Sequence, residues 1–182
     1  MADVVGDFST YTDHVNTFNN NVLAIHPAVE INKPHFVLHA GINPSWTNNS
    51  FYLLPDIVNE THLIPDKLIL SSGWISYFRK NNYQNLAEEN PYIGDYTAPL
   101  NTRIAEKYTG IMGTLNSHFT YNTKFAFLEY SDRPLFVNDS LYGNTFYTAD
   151  EEDLKAYQLH VEIGYIIQEN FQLKLSADWF NY

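Results

Sequence analysis

The stretch that decides the fold is AYQLHVEIGYIIQENFQLKLSADWFNY, residues 156–182. In its first half every second side chain, from Tyr157 to Ile167, is apolar, and the positions between them are mostly polar or small. After Gln168-Glu169-Asn170 the alternation restarts and continues through Trp179. A period of two is typical of a β-strand with one apolar face. Two such strands joined by a short polar turn predict an antiparallel hairpin.

The same pattern recurs upstream and predicts three further hairpins. Their turns lie at 32–34, 64–66 and 116–118. The paired runs are 22–31 with 35–46, 51–63 with 67–80, and 103–115 with 119–130. With a weakly patterned first strand over Val4–Tyr11, the count reaches about nine strands. The sequence therefore predicts an all-β chain that forms a single domain over residues 1–182.

The connections between these strands differ in length. The turns at 32–34, 64–66, 116–118 and 168–170 are short, whereas the connections at 12–20, 81–100 and 131–155 are long and rich in Asn, Asp, Gly and Pro. The short connection at 47–50 departs from the alternation. Short turns on one edge and long loops on the other are typical of an antiparallel up-and-down β-barrel in an outer membrane, here a partial one. A short helix is expected over 80–90, ending before Pro91.

Composition narrows the class of protein. The 182 residues carry a net charge of −11 and their few basic residues are scattered, so we expect no nucleic-acid partner. Aromatic residues make up 16% and charged residues 17%, against about 25% charged residues in a usual soluble domain. The absence of cysteine excludes disulfides, thiolate metal sites and cysteine nucleophiles. No apolar run approaches the roughly 20 residues of a membrane-spanning helix, and residues 1–20 lack the order of a signal peptide.

Alternation alone does not tell whether the apolar face meets lipid or a protein core, because a soluble β-sandwich also buries alternate residues. Three features favour lipid. A tilted bilayer crossing needs strands of about 9–11 residues, as most of these are, whereas the usual strand has about 5–6. The opposite faces carry charged and His side chains, which a watery lumen tolerates and lipid does not. Aromatic side chains frame the apolar faces as in the girdles of barrels, namely Trp46, Phe119, Tyr121, Tyr157, Tyr165 and Trp179.

Four stretches resemble a known family. They are FYLLPDIVNETHLIPDKLILSSGWISYF (51–78), NNYQNLAEENPYI (81–93), NTRIAEKYTGIMGTLNSHFTYNTKF (101–125) and HVEIGYIIQENFQLKLSADWFNY (160–182). Together they look like barrel segments of the TonB-dependent-receptor-like outer-membrane proteins of Bacteroidota, and the resemblance covers nearly the whole chain. It implies a β-barrel in the outer membrane of a Gram-negative cell, with lipid around it and the uptake of a small solute as its function.

The chain also departs from that family. Its receptors have an N-terminal plug domain and a segment that contacts TonB, and nothing in residues 1–20 resembles either. Bacterial single-chain barrels have an even number of strands, so nine strands would leave a barrel open. An open edge in lipid is costly, because each unpaired backbone group there lacks a hydrogen-bond partner. We therefore expect the chain to be a contiguous piece of a longer barrel.

Candidate functional side chains lie on the polar faces of the strands. The residues predicted to line the lumen are His26, Glu30, His39, His160 and Glu162. His and carboxylate side chains two apart on a strand point the same way and can hold a metal or a solute, but polar lining that keeps a lumen wet explains them more simply. The acidic run 150–153 lacks the spaced ligands and the glycine of a calcium loop. Motifs for catalysis, cofactor binding or metal binding are absent, so we expect neither an enzyme nor a cofactor.

Two functions remain open. The first is an outer-membrane β-barrel segment of a solute-uptake protein, with the 81–100 and 131–155 connections outside the cell. The second is a soluble, secreted all-β module whose exposed aromatic side chains, Trp46 or Trp74 among them, bind a carbohydrate or a protein.

Overall fold

The computed structural model describes residues 2–12, 17–48, 50–94, 100–141, 143–168 and 171–182. The elements are β1 (Ala2–Thr12), β2 (Thr17–Lys33), β3 (Phe36–Thr47), β4 (Ser50–Ile64), β5 (Leu68–Arg79), α1 (Tyr83–Glu89), β6 (Thr102–Thr114), β7 (Phe119–Ser131), β8 (Arg133–Asn138), β9 (Phe146–Glu151), β10 (Leu154–Gln168) and β11 (Phe171–Asn181). Within the described residues, nine strands form one antiparallel sheet in the order β1-β2-β3-β4-β5-β6-β7-β10-β11. The predicted all-β class and the nine-stranded up-and-down order are confirmed. This part of the chain leaves the sheet open, because β1 and β11 each pair with one strand alone.

The register of the sheet separates an apolar face from a polar face. Leu159 pairs with Phe125 and with Trp179, whereas its neighbour His160 pairs with Asp178. Side chains of paired residues lie on the same face of the sheet. The alternation within each strand therefore gives the whole sheet one apolar face and one polar face. The apolar face carries exposed large side chains from all nine strands, including Val4, Val29, Ile31, Ile42, Trp46, Ile57, Leu70, Trp74, Ile111, Phe125, Leu159, Ile163, Leu173, Leu175 and Trp179. An exposed apolar surface of this extent indicates contact with a membrane or a partner.

Prolines interrupt the backbone ladder without ending the strands. The β2–β3 pairing runs to Ala24 with Ser45 and resumes at Ala28 with Gly41, and Pro27 and Pro44 lie inside that gap. On the next strand Pro55 precedes the point where the β4–β5 pairing begins. Proline has no backbone N–H to donate, so each ladder breaks beside one. Long strands therefore persist through three positions that would otherwise suggest strand ends.

Two predicted connections are corrected by the structure. The prediction of a long 12–20 connection is wrong, because β2 begins at Thr17 and pairs with Thr12 of β1. The Asn and Thr side chains there do not alternate with apolar ones, but their backbone groups complete the ladder, and Thr10 Oγ1 donates to Asn19 Oδ1 at 2.9 Å. In the 131–155 connection the chain adds the β8–β9 hairpin, which the pattern did not predict. Residues 13–16 and 169–170, parts of two predicted connections, lie outside the described residues.

The predicted helix is present in a shorter form. It spans Tyr83–Glu89 rather than 80–90. Asn82 is its N-cap, and the side-chain oxygen of Asn82 accepts a hydrogen bond from the Asn85 N–H at 2.8 Å. In the described part of the chain, no helix is long and apolar enough to cross a membrane.

Candidate functional site

The predicted lumen-lining residues fall into two groups on the polar face. In the first group His39 lies between two carboxylates, with Nε2 3.1 Å from Asp56 Oδ2 and Nδ1 3.6 Å from Glu30 Oε1. Beside them, His26 Nδ1 lies 2.8 Å from Asn43 Oδ1. This group belongs to β2, β3 and β4, where the register brings Glu30 directly opposite His39.

The second group lies on β10 and β11. His160 Nδ1 is 2.9 Å from Asp178 Oδ1, which also accepts a hydrogen bond from Gln158 Nε2 at 2.9 Å. Glu162 pairs with Lys174 at 2.7 Å across the two strands. Each charged or His side chain of this group therefore has a cross-strand partner, as polar lining needs.

The five predicted residues do not form one site. Strands β5, β6 and β7 separate the group on β2–β4 from the group on β10–β11. Among the described residues, no cluster of three or more His, Cys, Asp or Glu side chains is arranged to hold a metal ion. The acidic run is also divided, because Asp150 Oδ2 accepts from the Leu100 N–H at 3.4 Å while Asp153 pairs with Lys155 at 3.2 Å. Burial raises the pKa of Asp150 above its usual range, and the hydrogen bond from Leu100 opposes the rise.

A buried group of polar side chains, which we call the asparagine cluster, lies at the loop end of the polar face. It consists of Asn20, Asn81, Asn101, Thr47 and Thr102. Asn20 Nδ2 donates to the Asn81 carbonyl at 2.7 Å, and Asn101 Nδ2 donates to Asn20 Oδ1 at 2.6 Å and to Thr47 Oγ1 at 2.8 Å. Asn81 Nδ2 in turn donates to Thr102 Oγ1 at 2.9 Å. The three asparagines are only 2–7% exposed, so these bonds replace water for buried amides.

The asparagine cluster ties distant strands together. Asn20 belongs to β2 and Asn81 follows β5, and in a flat sheet those two strands would lie about 14 Å apart. Direct hydrogen bonds between the two residues therefore require the sheet to curve and the connection after β5 to lie over the polar face. An ion pair between Lys80 and Asp7 of β1 holds the same connection from the other side.

The two long connections pack on each other. Leu86 of α1 and Ile93 are buried, with Tyr11 and Phe136 against them. The backbone joins the connections as well, since the Gly94 N–H donates to the Phe146 carbonyl at 2.8 Å. We call the unit of α1, residues 92–94, β8 and β9 the loop cap. It has a small apolar core of its own at the loop end of the sheet.

A cavity of about 210 Å³ lies between the loop cap and the polar face. Tyr77, Ile104 and Tyr130 form its floor, in register across β5, β6 and β7. Arg79 and Arg133 line it as well, so two of the three arginines in the chain meet here. The Arg133 guanidinium lies 4.8 Å from the centre of the Tyr130 ring, and Arg79 forms an ion pair with Glu89 of α1. The guanidinium groups are suited to an anionic solute.

Sequence reasoning missed this cavity. Arg79 ends one strand and Arg133 follows another by two residues, and fifty-odd residues separate them in the chain. Only the register of β5, β6 and β7 brings them to the same edge. The sequence offered one signal: Arg79 lies at the end of the predicted strand 67–80, and Arg133 lies three residues after the predicted strand 119–130.

The apolar face also carries a charged pair, Lys107 of β6 and Glu129 of β7. Lys107 lies opposite Trp74 and Phe127 in the register and within 6 Å of both ring centres. Its ammonium group pairs with Glu129 at 3.0 Å. Lys107 lies in the middle of β6, and its charge on this face is compensated by Glu129 and by the two aromatic rings.

Comparison with known proteins supports the fold and no more. No family model matches the chain, and no curated protein matches it. Among solved structures, the chain is similar to the outer membrane transporter YddB from Escherichia coli, with a TM-score of 0.60 and 12% sequence identity. The match covers 91% of this chain and 25% of the transporter, so the chain spans about a quarter of the length of that protein. The open sheet is therefore built like part of an outer-membrane β-barrel.

Proposed function

We propose that the chain is a segment of an outer-membrane β-barrel that takes part in solute uptake. The observation that carries the proposal is the apolar face, where large side chains remain exposed on strand after strand. In water such a surface would favour aggregation, whereas in a bilayer it is the normal surface of a barrel. The likeness to part of an outer membrane transporter supports the same environment.

The open edges fit a segment of a larger barrel. Within the described residues the outer edges of β1 and β11 have no strand beside them. Backbone groups without partners are costly in lipid, so the proposal includes further strands of the same barrel that pair with both edges in the whole protein. The family resemblance extends the proposal to a TonB-dependent receptor, whose plug and TonB contact would be supplied outside this chain. The proposal gives the chain lipid and a small solute as partners, and no catalytic role.

Folding in lipid tests the proposal against the soluble module. We expect the purified chain to be aggregated or poorly ordered in plain buffer and to become β-rich when detergent micelles or lipid vesicles are added, because the apolar face then has an apolar solvent. Far-ultraviolet circular dichroism with and without detergent, together with size-exclusion chromatography, measures both states. A monodisperse, β-rich protein in plain buffer would instead favour the soluble binding module.

A further inference from the structure

We propose that the cavity under the loop cap binds a small solute through a carboxylate or phosphate group held by Arg79 and Arg133. The inference deepens the proposed function, on which its biological meaning rests, by giving the solute a chemical class. The site is at the loop end of the polar face, where a solute arriving from the loop side would first meet the barrel.

The two arginines differ in their availability. The charge of Arg79 is balanced by Glu89 of α1. Arg133, by contrast, stacks on Tyr130, and no carboxylate of the described residues lies within ion-pair distance of its guanidinium group. A guanidinium group donates two parallel hydrogen bonds to a carboxylate or a phosphate, which makes Arg133 the principal anchor of an anion.

The floor of the cavity suits the rest of such a solute. Tyr77 and Tyr130 lie on either side of Ile104 in the register, and Ile104 is only 9% exposed. A flat or apolar body can pack on these three side chains while its anionic group faces Arg133. The floor therefore offers apolar contacts, while Arg79, Asn81 and Thr102 around it offer polar ones.

The walls of the cavity are held in place before any solute binds. Asn81 and Thr102 line the cavity and are members of the buried asparagine cluster. Leu86 lines it from the loop cap, where it is 2% exposed. Side chains fixed by packing and hydrogen bonds lose little conformational entropy on binding, so the cavity is preorganised.

The charge of the site contrasts with that of the chain. The net charge is −11 with only ten basic residues, yet two of the three arginines line one cavity. The third, Arg103, bonds to Ser131 Oγ at 2.9 Å and lines a different cavity, on the apolar face. Arg103 therefore provides a matched control for substitutions of the other two.

The test uses the full chain in detergent micelles and isothermal titration calorimetry with three probes: benzoate, inorganic phosphate and benzamide, the uncharged analogue of benzoate. We expect benzoate or phosphate to bind and benzamide not to bind. R133Q should weaken binding of the anion by about tenfold or more, because a charge-assisted hydrogen bond is lost. R103Q should leave it unchanged. Benzoate binding alone would assign a carboxylate, and phosphate binding alone a phosphate.

The inference is overturned if neither anion binds, if benzamide binds as tightly as benzoate, or if R133Q and R103Q have equal effects. Circular dichroism of both variants confirms that each remains folded, and R79Q serves as the second variant if R133Q does not fold. The outcome is separate from that of the proposed function. If the chain folds only in detergent but binds no anion, the barrel assignment stands and this site is rejected. If the chain folds in plain buffer and binds benzoate, the site stands and the membrane assignment is rejected.

Discussion

Replacing Leu175 with arginine is expected to lower the free energy of unfolding of the lipid-inserted protein by about 2–4 kcal/mol, the usual cost of a charge near the bilayer midplane on the outside of a barrel. Leu175 lies near the middle of β11, on the apolar face, and is 70% exposed in the structure. If that face met water, an exposed leucine could be replaced at little cost. The size of the destabilisation therefore shows whether the apolar face meets lipid or water.

Ser176 provides the control for this substitution. It is the next residue on the same strand, is also exposed, and lies on the polar face opposite Glu162. We expect Ser176→Arg to change the unfolding free energy by less than about 0.5 kcal/mol. Urea titration in vesicles, followed by tryptophan fluorescence, measures both variants. Equal stabilities of the two variants would contradict a lipid-facing apolar face.

Replacing Asn101 with alanine should cost about 2–4 kcal/mol of stability at the loop end. The side chain of Asn101 donates to Asn20 and to Thr47 and accepts from the Asn81 N–H at 3.1 Å. Its removal leaves buried donors and acceptors without partners, at about 1–3 kcal/mol for each group that water does not reach. We expect the loop cap to open more often, because the asparagine cluster is what holds the connection after β5 over the polar face.

Hydrogen exchange measured by mass spectrometry localises that change. Peptides from 80–94 should exchange faster in Asn101→Ala, whereas peptides from β10 should not change. Asn122→Ala is the matched control, because Asn122 lies on the polar face of β7, opposite Glu162, and makes no side-chain hydrogen bond that the structure shows within the described residues. If both variants exchange alike at 80–94, the asparagine cluster does not hold the loop cap.

The sheet could be predicted from the sequence because the residues that determine each hairpin are close together in the chain. Hydrophobic alternation and a polar turn are both contained in a few residues, as at 156–182, and a hairpin places its two strands side by side without further information. The predicted connection at 12–20 was wrong because the same local alternation is missing where β2 begins, at Thr17. The pairing of β1 with β2 continues through Asn and Thr residues, whose side chains carry no alternation although their backbone groups pair normally.

The candidate site could be predicted only in part, because its information is not local. The polar face could be predicted, and the predicted His and carboxylate residues lie on it in two groups. The asparagine cluster could not, since Asn20 and Asn101 come together only after the sheet curves and a connection folds over it. Asparagine is common in turns and loops, so its abundance in the sequence indicated connections rather than a buried cluster. Arg79 and Arg133 come to one cavity for the same reason.

All three tryptophans allow the central claim to be tested directly, because Trp46, Trp74 and Trp179 lie on the apolar face. The measurement is quenching of tryptophan fluorescence in the folded chain by phospholipids brominated on their acyl chains, compared with unbrominated vesicles. We expect strong quenching by the brominated lipid and little further quenching by aqueous iodide. Emission that brominated lipid leaves unchanged and iodide quenches would place the face in water and contradict the assignment of a membrane β-barrel segment.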